Sequence, residues 1–207
     1  MTESSATVFM VDDDPALRTS LETLLGTAGL QTETFASGRE FFDAYTPDRP
    51  GCLVLDLRLR AESGMDVLDR LRAEQASLPV IMLTAHGDVP SSVHALKGGA
   101  IDFIEKPVRP TVLIARIREA LELDRSAREA RASVSAVEEL AKRLTPRERQ
   151  IAALLMAGKR SKEIAAALGI GVRTVEGYRA RMLDKMKVSS AAELTAVLLR
   201  ANVVLPT

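Results

Sequence analysis

The chain has 207 residues, enough for two domains of ordinary size, and 46% of them are hydrophobic. No apolar run reaches the ~20 residues of a membrane-spanning helix, and the first residues do not resemble a secretion signal. The single cysteine, Cys52, excludes an intramolecular disulfide and a cysteine-cluster metal site, and we expect it to be a small buried residue. These features predict a cytoplasmic protein without a membrane partner.

The net charge of zero hides two halves of opposite sign. Residues 1–139 contain 15 Lys and Arg against 23 Asp and Glu, a net −8, whereas residues 140–207 contain 13 against 5, a net +8. This asymmetry suggests two domains with different partners, and the basic half is the candidate for binding nucleic acid.

The first half alternates short β-rich apolar runs with amphipathic segments. The predicted strands are Thr7–Val11, Thr32–Phe35, Cys52–Leu55, Val80–Thr84 and Asp102–Ile104. The predicted helices are Pro15–Ala28, Gly38–Tyr45, Met65–Ala73, Pro90–Gly98 and Thr111–Leu123. Continuously apolar strands that alternate with helices predict an α/β fold, a parallel sheet covered on both faces. Five such units fit the flavodoxin-like doubly wound order, whose ligands bind beyond the carboxyl ends of the strands.

Polar residues follow the ends of four predicted strands. Asp12 and Asp13 follow the first strand, and Asp56 ends the third. Thr84 ends the fourth strand, and Lys106 follows the fifth. Clustered carboxylates repel one another unless a cation lies among them, and oxygen ligands suit Mg²⁺. A carboxylate beside Mg²⁺ can attack a phosphoryl group to form an acyl phosphate, whose charge an ammonium and a hydroxyl would offset.

These residues closely resemble the receiver domain of response regulators over residues 7–123. Four motifs carry the resemblance: Val11-Asp12-Asp13-Asp14, Leu55-Asp56-Leu57-Arg58, Leu83-Thr84-Ala85 and Phe103-Ile104-Glu105-Lys106-Pro107. The resemblance implies that Asp56 is the phospho-acceptor. It implies a Mg²⁺ site made by Asp13 directly, Asp12 through water, Asp56 and the backbone carbonyl of Arg58. It also implies that Thr84 and Lys106 contact the phosphoryl group and that Phe103 is a rotating switch aromatic, although simple core packing is the alternative for Phe103.

The loop after Asp56 departs from the receiver pattern. The family usually has Met-Pro here, whereas this chain reads Leu59-Arg60-Ala61-Glu62-Ser63-Gly64. Arg60 in place of proline frees the loop and adds a cation near the site, which affects the expected phosphorylation rate and not the identity of Asp56. We expect no metal role for His86 or His94, although His86 at the rim is placed to influence an attacking water.

A helical linker is predicted at residues 124–143, between a receiver domain at 1–123 and a C-terminal domain at 144–207. No glycine or proline interrupts residues 111–144, and two apolar seams repeat every seven residues. The seams are Leu113, Ala120, Ala127, Val134 and Ala141, and Leu123, Ala130, Val137 and Leu144. Because the alanine-rich seam buries little area, a single solvated helix and a paired coiled coil both stay open.

The C-terminal domain is predicted to be all-α, with four helices. They are expected at Pro146–Ala157, Ser161–Leu168, Val172–Lys187 and Ser190–Ala201. Thr145, Pro146 and Glu148 form a capping box at the start of the first, and Gly158 and Gly169 suit helix ends.

The second and third of these helices form a helix-turn-helix candidate whose second helix is basic. Residues 144–196 resemble the LuxR-type domain of the NarL/FixJ regulators, through runs such as Leu144-Thr145-Pro146-Arg147-Glu148, Lys162-Glu163-Ile164-Ala165 and Thr174-Val175-Glu176. The whole chain looks most like the FixJ branch. The DNA-binding residues expected here are Arg173, Thr174, Glu176, Gly177, Tyr178, Arg179, Arg181 and Lys185. Gly171 stands where a serine often caps the helix and Tyr178 where histidine is common, and Gly177 offers little base readout.

Together these features predict a phosphorylation-controlled transcription factor, an activator, that is no enzyme beyond assisting its own phosphorylation and dephosphorylation. Its expected partners are a sensor histidine kinase, promoter DNA and a second copy of the chain on phosphorylation, with RNA polymerase a further candidate. The dimer interface is expected at the fourth helix and fifth strand, with Val93 and Lys97 on its surface. The alternative is a phosphotransfer or interaction module whose basic domain docks a protein.

Overall fold

Two compact units, residues 1–127 and 128–207, make up the chain in a computed structural model that describes residues 6–74, 76–85 and 98–203. Each unit has its own hydrophobic core. No helix in these described ranges combines the length and the apolar composition that crossing a membrane requires.

The first unit is built on a five-stranded parallel sheet. Its strands are β1 Thr7–Val11, β2 Gln31–Phe35, β3 Gly51–Asp56, β4 Val80–Thr84 and β5 Asp102–Glu105. Their spatial order is β2-β1-β3-β4-β5, which confirms the predicted flavodoxin-like topology. Every predicted strand is present, and none differs by more than one residue at either end. Because β1, β3, β4 and β5 are adjacent, their carboxyl ends lie together at one edge of the sheet.

Helices cover both faces of this sheet. In the described residues before β5, the helices are α1 Pro15–Thr27, α2 Gly38–Ala44 and α3 Gly64–Ala73. Alternate residues of β1 point to opposite faces of the sheet. Phe9 packs against residues of α2 and α3 on one face, and Met10 belongs to the core cluster on the other face, which includes residues of α1. The helix expected at Pro90–Gly98 falls almost wholly outside the described residues.

A single helix, α4, runs from Pro110 to Lys142 and joins the predicted last receiver helix to the predicted linker. Its residue Asp124 is 1% exposed within the first unit, where a carboxylate oxygen accepts a hydrogen bond from the Gly51 amide at 2.9 Å. Cys52 is buried as expected, and burial, with the nearby Asp124 charge, raises its pKa to about 12, so the thiol is protonated at neutral pH. Leu123 is 54% exposed, and the two predicted alternatives, a single solvated helix and a paired coiled coil, both stay open.

The second unit contains four further helices within the described residues. They are α5 Pro146–Met156, α6 Ser161–Leu168, α7 Val172–Met186 and α8 Ala191–Arg200. The predicted capping box at the start of α5 is confirmed, because Thr145 and Glu148 each accept the other's backbone N–H. Gly169 ends α6 with φ of 64°, a left-handed conformation that glycine adopts readily.

Candidate functional site

Three carboxylates meet at the carboxyl edge of the sheet. Asp12 follows β1, Asp13 is the next residue, and Asp56 ends β3, the strand beside β1. One carboxylate oxygen from each of the three lies within 4.8 Å of the others. Asp12 is 1% exposed and Asp56 is 8% exposed, so two of these acids are held away from bulk water. Three carboxylates this close together repel one another when all are ionised, so this end of the sheet favours the binding of a cation.

Lys106, just after β5, supplies positive charge to this cluster. Its Nζ donates to Oδ2 of Asp12 at 2.7 Å and to Oδ2 of Asp56 at 2.9 Å. Burial lowers the pKa of Lys106, but the bonds to Asp12 and Asp56 outweigh it and leave the pKa raised. The ammonium is therefore protonated at neutral pH.

Asp56 lies at the end of the central strand β3 and is buried. Burial raises its pKa, and the hydrogen bond and charge of Lys106 oppose that effect. The backbone N–H of Arg58 donates to its other oxygen at 3.3 Å. The carboxylate thus lies against one ammonium and one amide, groups that stabilise negative charge at this position.

The remaining predicted residues of the edge come from β4 and β5. Thr84 ends β4, is 1% exposed and accepts the Lys106 amide at its backbone carbonyl. Phe103 lies opposite Met82 in the β4–β5 pairing and is half-buried against the core. The structure therefore brings Thr84 to the same edge as Asp56 and Lys106, while the switching role of Phe103 stays a prediction.

The loop after Asp56 brings a second cation to the cluster. Arg60 forms an ion pair with Asp13, in which Nε lies 2.8 Å from Oδ2. The loop folds back on the strand end, where the Gly64 amide donates to the Leu57 carbonyl at 2.9 Å. A Cβ on Gly64 would lie 2.2 Å from the Asp56 carbonyl oxygen, so this position requires glycine. The sequence indicated a cation near the site but not that Asp13 binds it.

The helix-turn-helix candidate consists of α6 and α7 of the second unit. The core of this unit includes Ile164 of α6 and Val175 and Met182 of α7, all fully buried. The exposed members of the predicted DNA-binding set are Arg173, Thr174, Glu176 and Arg181, and the half-buried ones are Gly177, Tyr178, Arg179 and Lys185. The Arg181 guanidinium lies 4.7 Å from the centre of the Tyr178 ring, which holds both side chains on the same face of α7.

Two of the predicted DNA-binding residues also have partners within the unit. Arg179 donates to the Ser161 hydroxyl at 2.6 Å, which ties α7 to the start of α6. Lys185 donates to Glu148 at 2.7 Å, and that glutamate is 2% exposed. The sequence predicted Glu148 as a capping residue and Lys185 as a basic residue of α7. The two are 37 residues apart, and this spacing did not indicate that they form an ion pair. The predicted interface residues Val93 and Lys97, with His86 and His94, lie outside the described residues.

Comparison with known proteins gives two family matches. Residues 8–118 match the response regulator receiver domain, and residues 142–198 match the bacterial regulatory proteins of the luxR family. Nodulation protein W of Bradyrhizobium diazoefficiens is 41% identical over 93% of this chain and 86% of its own length. The transcriptional regulatory protein FixJ of Azorhizobium caulinodans is 44% identical over 96% of this chain and 94% of its own length.

Solved structures give the same result. The response regulator StyR superposes with a TM-score of 0.87 and 38% identity, covering 95% of this chain and 99% of that one. Full-length FixJ from B. japonicum has a TM-score of 0.59 and 37% identity, covering 97% of this chain and 99% of its own. Both similarities extend over the two units and the helix α4.

Proposed function

Because the chain belongs to the two-component response regulators that join a receiver domain to a LuxR-type DNA-binding domain, we propose that phosphorylation of Asp56 by a sensor histidine kinase controls its binding to promoter DNA. The observation that carries this proposal is the meeting of Asp12, Asp13, Asp56 and Lys106 at one edge of the sheet. The protein would act in the cytoplasm, where promoter DNA lies, and its chemistry would be limited to its own phosphorylation and dephosphorylation.

The carboxylate cluster fits a magnesium ion. Its three acids offer hard oxygen donors within 4.8 Å of one another, and Mg²⁺ prefers such ligands. Asp13 would bind the ion directly and Asp12 through water, with Asp56 and the backbone carbonyl of Arg58 completing the protein ligands. When bound, the ion supplies positive charge to the oxygens of the transferring phosphoryl group.

Asp56, Lys106 and Thr84 would carry out the other steps of phosphoryl transfer. A carboxylate oxygen of Asp56 attacks the phosphorus, an O–P bond forms, and the bond from phosphorus to the donor breaks with its electron pair leaving on the donor. Lys106 exchanges its bond to the Asp56 carboxylate for bonds to the phosphoryl oxygens, and the Thr84 hydroxyl donates to another of them. Buried Thr84 moves to make this bond, and half-buried Phe103 turns into the space it leaves.

We expect Lys106→Ala to uncouple phosphorylation from DNA binding. A charge-assisted hydrogen bond contributes about 1.5–3 kcal/mol, so loss of the ammonium should remove about ten- to a hundredfold of the phosphorylation-dependent gain in DNA affinity. Intact-mass analysis measures the phosphoryl adduct while fluorescence anisotropy measures DNA binding on the same sample. The control is Arg109→Ala, an exposed cation three residues away. A Lys106→Ala protein that responds as fully as wild type would contradict this role.

The second unit would bind DNA through α7, with its N-terminal residues in the major groove. The exposed side chains Arg173, Thr174 and Glu176 lie on the first turns of this helix and are placed to reach base edges. Basic residues farther along, including Arg179, Arg181 and Lys185, would contact phosphates.

A phosphate contact by Arg179 has a measurable signature. We expect Arg179→Ala to weaken binding about equally across DNA sequences and to lower the slope of log affinity against log salt by about one. The control is Lys142→Ala, which removes an exposed cation, with 70% of its side chain exposed, at the end of α4 outside the helix-turn-helix. A loss confined to one base position would show that Arg179 reads a base instead.

Phosphorylation would act by driving dimerisation. One helix-turn-helix makes few base contacts, and such proteins commonly read two half-sites about one helical turn apart. The predicted face includes Val93 and Lys97, which lie outside the described residues, and β5, next to Thr84 and Lys106. Sedimentation of the unmodified protein and of its beryllofluoride complex, which mimics the acyl phosphate, should show a monomer and a dimer respectively. An activated protein that stays monomeric yet binds its operator fully would contradict the dimer.

A DNA mobility shift with and without acetyl phosphate separates this proposal from an interaction module that docks a protein. The regulator should retard promoter DNA more strongly after phosphorylation, and RNA polymerase would then join the complex at an activated promoter. If a fully phosphorylated protein retards no fragment of a genomic library at low salt, the docking alternative would be favoured.

A further inference from the structure

The guanidinium of Arg60 lies at the mouth of the carboxylate cluster. Its side chain is 81% exposed, whereas the Asp13 side chain that it contacts at 2.8 Å is 22% exposed. The Arg60 guanidinium therefore contacts Asp13 from the solvent-exposed side of the cluster. Lys106 contacts the other two acids, Asp12 and Asp56, from the buried side.

The fold of the β3–α3 loop explains why Arg60 is placed there. Arg58 and Ser63 form an antiparallel bridge, and Gly64 packs against the Asp56 carbonyl, so residues 59–62 form the tip of a loop that closes over the strand end. The receiver pattern usually has a proline at the position of Arg60, and a proline side chain carries no charge. The arginine thus adds an interaction that this loop position ordinarily does not provide.

We propose that Arg60 competes with Mg²⁺ for the Asp13 carboxylate and so raises the Mg²⁺ concentration at which the receiver accepts a phosphoryl group. This inference rests on the proposed function, because it takes Asp12, Asp13 and Asp56 as the magnesium site. Lys106 and Arg60 both form ion pairs with the cluster, so two side-chain cations already face its three carboxylates. The guanidinium has to leave Asp13 or remain beside a divalent ion, and like charges at contact distance repel.

The size of the effect follows from the exposure of Arg60. An exposed ion pair is worth about 0.2–1 kcal/mol and is screened by salt, so its loss should tighten Mg²⁺ binding by about 1.4- to fivefold. Arg60→Lys keeps the charge but loses the planar guanidinium, so its Mg²⁺ affinity should lie between those of wild type and Arg60→Ala.

Isothermal titration of the unphosphorylated full chain with MgCl₂ measures this directly. Arg60→Ala should have a Kd for Mg²⁺ about 1.4- to fivefold below that of wild type, and the difference should shrink as NaCl is raised. The matched control is Arg39→Ala, which removes an 89% exposed arginine paired with Asp43 on α2 and should leave the Kd unchanged. Asp13→Asn should bind Mg²⁺ much more weakly, whichever residue stands at position 60.

The possible outcomes separate the inference from the proposed function. Equal Kd values for wild type and Arg60→Ala at low salt, with Asp13→Asn impaired, would overturn the role of Arg60 and leave the magnesium site standing. An equal gain in Arg39→Ala would also overturn it, because net charge alone would then explain the result. Absence of Mg²⁺ binding in wild type and Arg60→Ala alike would overturn both the site and the inference.

Discussion

Replacement of Asp56 by asparagine should abolish phosphorylation of the chain by acetyl phosphate. Asp56 ends the central strand β3 and is held by positive and polar groups, with Lys106 at 2.9 Å and the Arg58 amide at 3.3 Å on its two oxygens. An amide is a poor nucleophile and cannot form the acyl phosphate, while its similar size preserves the packing at the end of β3. Intact-mass analysis with Mg²⁺ present should show one added phosphoryl group on wild type and none on the variant.

The control for this experiment is Asp69→Asn, which changes an exposed carboxylate on α3 in the same unit. It should take up one phosphoryl group at the wild-type rate. Retention of the adduct by Asp56→Asn would show that another residue is the acceptor. Circular dichroism of the variant, which should match wild type, excludes loss of the fold as the reason for a negative result.

Glu148→Ala should destabilise the DNA-binding unit more than any exposed substitution. Glu148 is 2% exposed and accepts hydrogen bonds from the Thr145 amide at 2.8 Å, the Thr145 hydroxyl at 3.0 Å and the Lys185 ammonium at 2.7 Å. Loss of the cap and of a partly buried ion pair should cost about 2–4 kcal/mol. In a unit of this size that lowers Tm by about 10–25 °C, which calorimetry of the full chain would detect.

Glu163→Ala is the matched control, because Glu163 occupies the equivalent third position of α6 and accepts the Arg160 amide at 2.8 Å. Its carboxylate is exposed, at 50% of the side chain, so we expect a loss of about 1 kcal/mol or less. Equal losses for the two variants would show that burial and the Lys185 contact contribute nothing beyond capping.

Acid should weaken the DNA-binding unit through the same glutamate. Burial raises the pKa of Glu148, but the Lys185 ammonium and the two Thr145 bonds outweigh it and leave the pKa below the ordinary value of 4.5. A lowered folded-state pKa gives stability that is present above the unfolded pKa and is lost as pH falls through the folded one. Glu148→Gln should lack this part of the acid transition. An unchanged acid profile in that variant would contradict the contribution.

Much of the receiver unit could be predicted because its strands are buried and bounded by polar residues. The run Val80–Thr84 is wholly buried and ends in Thr84, the polar residue that the site requires. Its continuous apolar pattern therefore predicted both the strand and the position of the hydroxyl. Once parallel order is assumed, the ends of β1, β3, β4 and β5 must share an edge, and the meeting of Asp12 with Lys106 follows from topology alone.

Contacts set by tertiary packing could not be predicted in the same way. Asp124 appears in the sequence as one more charged residue of a solvated linker, yet it is buried against the Gly51 amide. Lys185 is expected to bind DNA because it is basic and lies on α7, and its position in the chain did not indicate that its ammonium also donates to buried Glu148. In both cases the partner is distant along the chain, and helical periodicity carries no information about which charge it meets.

The most direct measurement is the affinity of the full chain for its operator DNA before and after activation at Asp56. A fragment enriched from genomic DNA by the activated protein would be titrated, by fluorescence anisotropy at fixed salt, with wild type and Asp56→Asn, each with and without beryllofluoride. We predict that beryllofluoride lowers the Kd of wild type by about tenfold or more and leaves Asp56→Asn unchanged. Equal affinity of the activated and unmodified wild-type protein would contradict control of DNA binding by the carboxylate site.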